Sequence, residues 1–392
     1  MEAVLPAPPP AVPEPTPGQA RRAITLFFLV SGFGFATWAA RIPSIQRHLG
    51  LNEAELGGVL LAMPAGLMLT LPVTGILLRR FSSRQVMLVG AILYNLVLAL
   101  LGQVTHTWQL VALLFCFGSS RNLLNISMNA QSVGVQARYG RSIIASFHGV
   151  WSVAGFAAAA LGTLLVGHAV GTGPHFAAVA AVLTVVAALN YRHSLALPPS
   201  PPTGRKPGWA WPDKALLGFG LVAFAAMACE GALYDWSSIY FEKAVRLPKT
   251  SATLGFATYM VAMTIGRFCG DWLVNRWGVR MVLLYSGVLI GMGLLLAAAL
   301  PLPLPTGLGF VLVGLGVSCV IPLLFGMAGR LPGSSSATAV VGVSTVGYFG
   351  FLFVPPVVGF IAEAAGLRWS FGLMALFGAL IVWLVRRLPA VA

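Results

Sequence analysis

Long apolar segments dominate the chain and restrict what it can fold into. Twelve of them alternate with short polar loops, and each is about as long as the ~20 residues that an α-helix needs to cross a bilayer. Lipid offers the backbone no hydrogen-bond partners, so only helices and closed barrels span membranes, and runs of this length favour helices. The sequence therefore predicts an all-α membrane protein with twelve transmembrane helices in two six-helix bundles. The predicted spans are 23–40, 55–78, 85–102, 108–135, 143–168, 175–191, 214–241, 251–274, 280–300, 305–330, 336–362 and 367–385.

Composition and charge agree with this class. Of the 392 residues, 58% are hydrophobic and 9% are charged, whereas soluble domains carry about 25% charged residues. The net charge of +14 would suggest a nucleic-acid partner in a soluble chain. Here the basic residues lie in loops between apolar spans, as the positive-inside rule requires. The expected partner is therefore the lipid bilayer, and no nucleic-acid partner is expected.

The four cysteines carry no motif. Cys116, Cys229, Cys269 and Cys319 all fall inside predicted spans and show no paired spacing. This pattern indicates packed, reduced thiols rather than a disulfide framework or a zinc site. We expect no metal and no cofactor.

The chain divides into four parts. Residues 1–20 are rich in Pro and Ala and predict a disordered cytoplasmic tail. Residues 21–192 hold the first six spans, the proline-rich stretch 193–213 predicts a cytoplasmic linker, and 214–392 hold the last six. Most loop Lys and Arg fall on the side that carries the amino terminus, so both termini are expected in the cytoplasm.

The two halves align with each other at one offset, close to half the chain length. This offset pairs Trp38 with Trp236 and Gly118 with Gly316. Such matches indicate a duplicated six-helix unit. Parallel repeats around a site near the membrane midplane are the plan of many secondary transporters.

One stretch carries a family resemblance. The sequence GRFCGDWLVNRWGVR at 266–280 resembles the loop signature of the major facilitator superfamily. The resemblance implies that Arg267, Asp271 and Arg276 form a gating latch at a cytoplasmic junction, and residues four apart share a helix face. The first-half loop departs from the signature, because Arg79 stands where the superfamily has an Asp. A first-half latch would need another acid.

Two further stretches, 127–155 and 230–240, look like an uncharacterised bacterial inner-membrane branch of that superfamily, loosely similar to fucose permease. The likeness implies a monomer in the bacterial inner membrane. Fucose permease has its proton-coupling acids in spans one and four. Here 23–40 and 108–135 contain no Asp or Glu, so sugar/proton symport is not carried over.

Two acids interrupt the seventh span. An ionised carboxylate at that depth costs several kcal/mol unless it is paired or protonated, so Glu230 is the leading candidate for a proton- or substrate-binding group. Asp235 lies five residues further on, about 140° around an ideal helix. The two acids therefore do not share a face, and we expect a structural role for Asp235, with Arg41 as its candidate partner.

The fourth span is the most polar. By the resemblance, spans one, four, seven and ten line a central cavity, and Arg121, Asn122, Asn125 and Asn129 form one stripe on span four. A guanidinium suits a carboxylate-bearing substrate, because it offers a planar fork of donors that stays charged. The alternative is that Arg121 pairs with Glu230, and both interpretations stay open.

Other candidates are weaker. His148 lies deep in the fifth span and can carry a proton near neutral pH, although a lone His is more often a packing residue. Trp38, Trp236, Trp151 and Tyr234 can stack on a sugar or an aromatic ligand, but such residues more often pack or mark interfaces.

These features predict a secondary active transporter that moves a small polar organic solute by alternating access. It is expected to be proton-coupled through Glu230, with Arg121 as its partner. The chain contains no GxxxxGK[ST] loop for ATP, and neither the HExxH nor the GxSxG motif of an enzyme. The alternatives are an efflux antiporter for drugs or metabolites, a membrane sensor or scaffold that does not transport, and an intramembrane enzyme.

Overall fold

The computed structural model describes residues 15–139, 143–197, 214–328 and 336–388. Within these ranges the chain is helical and has no strand. Most of the predicted tail and linker lies outside the described residues. The tail boundary at residue 20 is wrong, because a helix already begins at Pro17. Thr16 caps it reciprocally with Gln19, and proline is well suited to the first helical position.

Eight α-helices occur in the described part of the first half. Span two is divided between α3 and α4 at Leu61, and a short helix that the sequence did not predict, α2, follows span one. The helices are α1 Pro17–Ala39, α2 Ile42–Leu49, α3 Glu53–Leu60, α4 Ala62–Arg80, α5 Ser83–Leu101, α6 Thr107–Gln136, α7 Ile144–Gly167 and α8 Thr172–Asn190.

The described part of the second half contains seven α-helices. Its fourth span is divided between α12 and α13, as span two is divided in the first half. The helices are α9 Lys214–Lys243, α10 Leu254–Trp277, α11 Val279–Ala299, α12 Pro303–Val317, α13 Val320–Ala328, α14 Ser336–Ala365 and α15 Leu367–Arg387.

Proline explains both divisions. A proline ring clashes with the carbonyl four residues earlier and leaves that carbonyl without its helical donor. The α3–α4 break falls at Leu61, just ahead of Pro64, and the α12–α13 break falls at Ser318 and Cys319, just ahead of Pro322. By contrast, Pro72 lies within α4 without ending it.

Eleven stretches of the described chain are long and apolar enough to cross a membrane. They correspond to eleven of the twelve predicted spans. The exception is α10, which has 24 residues and is long enough to span. It carries Arg267, Asp271 and Arg276, and these charges lower its apolar character. A charged helix among apolar ones marks a place where charge has a role inside the protein.

Helices α1 and α9 are the most enclosed. About 72% of the apolar window of α1 and 78% of that of α9 is buried, against 56% or less for the other spans. Trp38 on α1 and Trp236 on α9, which the internal repeat pairs, are both fully buried. The repeat therefore places equivalent helices at equivalent central positions.

The two halves meet along α7 and α10, and also at one end of the molecule, where α3 packs against α14. Gly57 allows this approach, because a Cβ there would lie 2.5 Å from the Pro355 carbonyl oxygen and 3.0 Å from the Gly359 Cα. Two ion pairs cross the same end, Arg47 with Glu242 and Lys243 with Glu53. We call this set of residues the closing contact.

Gly57→Ala should weaken the closing contact, because the new methyl group meets backbone rather than a movable side chain. Overpacking of this kind costs about 1–3 kcal/mol. Gly58→Ala is the matched control, since a Cβ at Gly58 meets nothing within 4 Å and alanine favours the helix. The measurement is a melting curve in detergent, with the labelling of the fully buried Cys229 as the signal of unfolding. Equal melting temperatures for the two variants would contradict the tight packing.

Candidate functional site

Helix α9 places a carboxylate and a phenol together. Glu230 and Tyr234 lie four residues apart on one helix face, and the Tyr234 hydroxyl donates a 2.8 Å hydrogen bond to Glu230 Oε1. Both residues are buried, with exposed fractions of 8% and 5%. A buried carboxylate needs such donors, because water is not there to solvate it.

Arg267 of α10 provides the counter-charge. Its Nη2 lies 3.6 Å from Glu230 Oε1, which makes an ion pair. Its Nη1 donates a 2.6 Å hydrogen bond to the hydroxyl of Ser152 on α7, and the guanidinium lies 5.6 Å from the ring centre of the neighbouring Trp151. One side chain of the second half thus contacts the acid of its own half and α7 of the first half. We call Glu230, Tyr234, Arg267 and Ser152 the central cluster.

Arg267 lies within a helix, as its position in the predicted span 251–274 requires, while its gating role at a cytoplasmic junction stays a prediction. The residue lies in the interior of α10, ten residues before the helix ends at Trp277. The motif 266–280 spans the end of α10, Gly278 and the start of α11, and Arg267 pairs with Glu230. Arg276 is exposed near the end of α10. The side chain of Asp271 lies outside the description, so the predicted latch through Asp271 and Arg276 stays a prediction.

Arg121 takes a different place from the one that the pairing alternative assigned to it. Its guanidinium lies 4.2 Å from the ring centre of Phe35 on α1, and in the described part of the chain the ion pair of Glu230 is with Arg267. Phe35 also contacts Tyr234 edge-on, at 5.0 Å between ring centres. Arg121 and Tyr234 of the central cluster therefore contact the same aromatic ring.

The asparagines of α6 divide into two groups. Asn122 is buried and donates a 2.9 Å hydrogen bond to Thr74 of α4, which holds two helices together. Asn129 donates to the Asn125 carbonyl oxygen at 2.8 Å and to its side-chain oxygen at 3.0 Å. Asn125 and Asn129 are only partly buried and remain candidates to contact a solute.

Asp235 and Arg41 do not pair, so their proposed partnership is wrong. Arg41 donates instead to the ring nitrogen Nδ1 of His175 at 3.1 Å and to the Val170 carbonyl oxygen at 2.8 Å. Burial, with a smaller contribution from Arg47, lowers the pKa of Arg41. Asp235 is 7% exposed and has no hydrogen bond or ion pair within the described ranges. The cation that acts on it electrostatically is Arg121.

His148 and the paired tryptophans have clear positions. His148 of α7 is exposed, and its ring meets Phe28 edge-on at 5.0 Å. It precedes Ser152 by one turn, on the face that carries the central cluster. Trp38 and Trp236 are buried, and their indole nitrogens have no hydrogen-bond partner among the described residues, so their role in solute binding stays a prediction. No group of metal-binding side chains occurs in the described ranges.

Sequence reasoning missed two members of this region, Phe35 and Ser152. Neither residue type stands out in a membrane helix, so only the folded arrangement reveals them. Arg267 was expected in a gating latch with Asp271, and its pairing with Glu230 was not predicted. The prediction that all four cysteines are packed is wrong for two of them, because Cys116 and Cys269 are exposed while Cys229 and Cys319 are buried.

Comparison with known proteins supports this architecture. The family profile of the Major Facilitator Superfamily matches residues 24–348 and again 219–392. An uncharacterised MFS-type transporter of Yersinia pestis is 32% identical over 361 residues, which cover 92% of this chain and 94% of that protein. The membrane protein MosC of Rhizobium meliloti is 29% identical over 88% of this chain and 84% of its own length.

Solved structures share the fold. The nucleoside transporter NupG aligns with a TM-score of 0.74 at 14% identity, covering 94% of this chain and all of that one. The fucose:proton symporter FucP of E. coli aligns with a TM-score of 0.62 at 17% identity, covering 94% and 98%. The matched family consists of transporters rather than enzymes. With its twelve-span architecture and a family match over most of its length, this chain belongs to the major facilitator superfamily.

Proposed function

We propose that the protein is a proton-coupled secondary transporter of a small polar organic solute, and that Glu230 is its proton-binding group. The observation that carries the proposal is the ion pair between the buried Glu230 and the partly buried Arg267, at the contact between α10 of the second half and α7 of the first half. A titratable acid with a fixed cation beside it, at a junction between moving parts, is suited to convert proton binding into movement.

The contacts of Arg267 explain how a proton would act. In the charged state Glu230 holds Arg267 by electrostatic attraction, while Arg267 also donates to Ser152 of the first half. A proton on Glu230 removes the negative charge and leaves Arg267 in a site of low dielectric constant without its counter-ion. The guanidinium then favours water or an anionic group of a solute, which changes the contact between α10 and α7.

The surroundings favour a polar solute with hydroxyl or carboxylate groups. Arg121, Asn125 and Asn129 offer donors from one helix, and Phe35 offers an aromatic ring beside them. Sugars and nucleosides combine hydroxyl groups with flat or apolar faces that such a site can bind. The structural neighbours are named as transporters of a nucleoside and of fucose with protons, and at their low identities they support the fold alone.

Glu230→Gln should abolish proton movement while solute exchange persists, because glutamine keeps the shape and the acceptor oxygen but cannot titrate near neutral pH. The measurement uses proteoliposomes with an internal pH dye, challenged with sugars, nucleosides, hydroxy acids and cationic drugs. A solute that changes the internal pH with the wild type should produce no pH change with Glu230→Gln.

The control for this experiment is Glu55→Gln. Glu55 forms a capping box with Asn52, and glutamine also satisfies that box, so transport should stay at the wild-type level. Glu230→Gln moving protons as the wild type does would refute its role in coupling. A response to cationic drugs alone would favour the efflux antiporter, and binding without flux would favour a sensor.

Alternating access requires the closing contact to open and close. Arg47→Glu places two acids together with Glu242 and should shift the population toward an open end. Adding Glu242→Arg restores opposite charges and should reverse the shift. Coupling energies between neighbouring charges are typically about 0.5–3 kcal/mol, enough to change populations several-fold.

The opening can be measured as a distance between two spin labels. Glu55 on α3 and Ala365 at the end of α14 are both exposed at this end, and the labels replace them in a chain without the exposed Cys116 and Cys269. The single reversal should lengthen the distances and the double reversal should shorten them again. If both variants give the wild-type distribution, the ion pair does not hold the end closed.

A further inference from the structure

We propose that the outer groove between α11 and α15 binds one anionic phospholipid, with an acyl chain along the groove and the phosphate on Arg386 and Arg387. This site is separate from the central cluster and does not depend on the transported solute. It would tie the second half of the protein to the charged lipids of its membrane.

The groove has the size and lining of an acyl-chain site. Its volume is about 540 Å³, and it runs from Ala375 to the arginine pair. At 1.5 Å per residue, this part of α15 is about 16 Å long. The walls are apolar, with Met292 on α11 and Trp383 on α15 exposed by 57% and 48%. These side chains face outward, where the bilayer lies against a membrane protein.

Close packing of glycines creates the groove. A Cβ at Gly378 of α15 would lie 2.4 Å from the Gly291 backbone nitrogen and 2.6 Å from the Gly287 carbonyl oxygen of α11. The two helices therefore touch at their backbones, and the larger side chains spread to either side. Because these glycines are already used inside the chain, they are not available to pack a second copy in the manner of a glycine-driven helix dimer.

Charge is concentrated at one end of the groove. Arg386 and Arg387 occupy the last turn of α15, and Arg280 at the start of α11 donates a 2.7 Å hydrogen bond to the Arg386 carbonyl oxygen. All three are exposed. Neither helix contains an Asp or a Glu, so nothing on them neutralises these guanidinium groups.

This arrangement matches a phospholipid better than a soluble anion. Guanidinium groups bind phosphate through paired, charge-assisted hydrogen bonds, and basic pockets between membrane helices bind anionic headgroups. Trp383, which lies 4.1 Å below the Arg387 guanidinium, is typical of the headgroup level. A free phosphate would use the arginines alone, whereas the apolar groove continues directly from them.

The test compares phosphatidylglycerol with phosphatidylcholine of the same acyl chains, added to the purified full-length protein in detergent. Native mass spectrometry counts the retained lipids, and a melting curve follows the stabilisation. We expect one phosphatidylglycerol to be retained preferentially. The double variant Arg386→Gln, Arg387→Gln should bind phosphatidylglycerol about tenfold more weakly, or weaker still.

Two further variants separate the possibilities. Ala379→Trp fills the groove but leaves Arg386 and Arg387 unchanged. This variant should also fail to retain phosphatidylglycerol. Arg79→Gln with Arg80→Gln removes a matched arginine pair at the end of α4 and should retain it. The proposal would be overturned if the wild type retained both lipids equally. It would also be overturned if only the Arg79→Gln, Arg80→Gln variant lost the retained phosphatidylglycerol. Displacement of phosphatidylglycerol by inorganic phosphate, or a dimer that Ala379→Trp converts to a monomer, would also overturn it.

Discussion

The ion pair between Glu230 and Arg267 is the constraint on which the centre of this structure depends. Removing two charges from water costs several kcal/mol each, and the loss is recovered only where geometry and extra hydrogen bonds are good. The protein meets this condition with the Tyr234 hydroxyl on the acid and the Ser152 hydroxyl on the base. Four side chains from three helices must therefore stay in register, which restricts how α7, α9 and α10 can move.

Two charged centres share the interior instead of one. Arg121 lies over Phe35 and acts on Asp235, while Glu230 pairs with Arg267. The ring of Phe35 is common to both, since it contacts the Arg121 guanidinium and Tyr234. The face of an aromatic ring is partly negative and its edge partly positive, so the ring attracts a cation to its face and pairs edge-to-face with another ring. A movement of α1 would shift Phe35 and so change its contacts with both Arg121 and Tyr234. This links the two charged centres without a direct bond between them.

Much of the fold could be predicted from the sequence, because membrane helices follow from length and polarity alone. The breaks ahead of Pro64 and Pro322 follow from the clash of the proline ring. Helix faces predicted that Asn122 and Asn125 share a stripe, but not that Asn122 holds α4 while Asn125 stays half-buried. Periodicity specifies direction around a helix and says nothing of which neighbour occupies that direction, so the partners of Arg121 and Asp235 could not be derived.

In the closing contact, backbone packing and ion pairs make different contributions to holding the two halves together. Gly57 and Gly359 bring two backbones together, and a separation of about 1 Å already loses up to about half of the dispersion attraction between them. The ion pairs of Arg47 and Lys243 act over a longer range and are partly exposed, so each is worth little alone. Packing therefore defines the closed geometry sharply, while the charges guide the approach. A contact built this way can be firm when closed and still open at modest cost, and alternating access requires both properties.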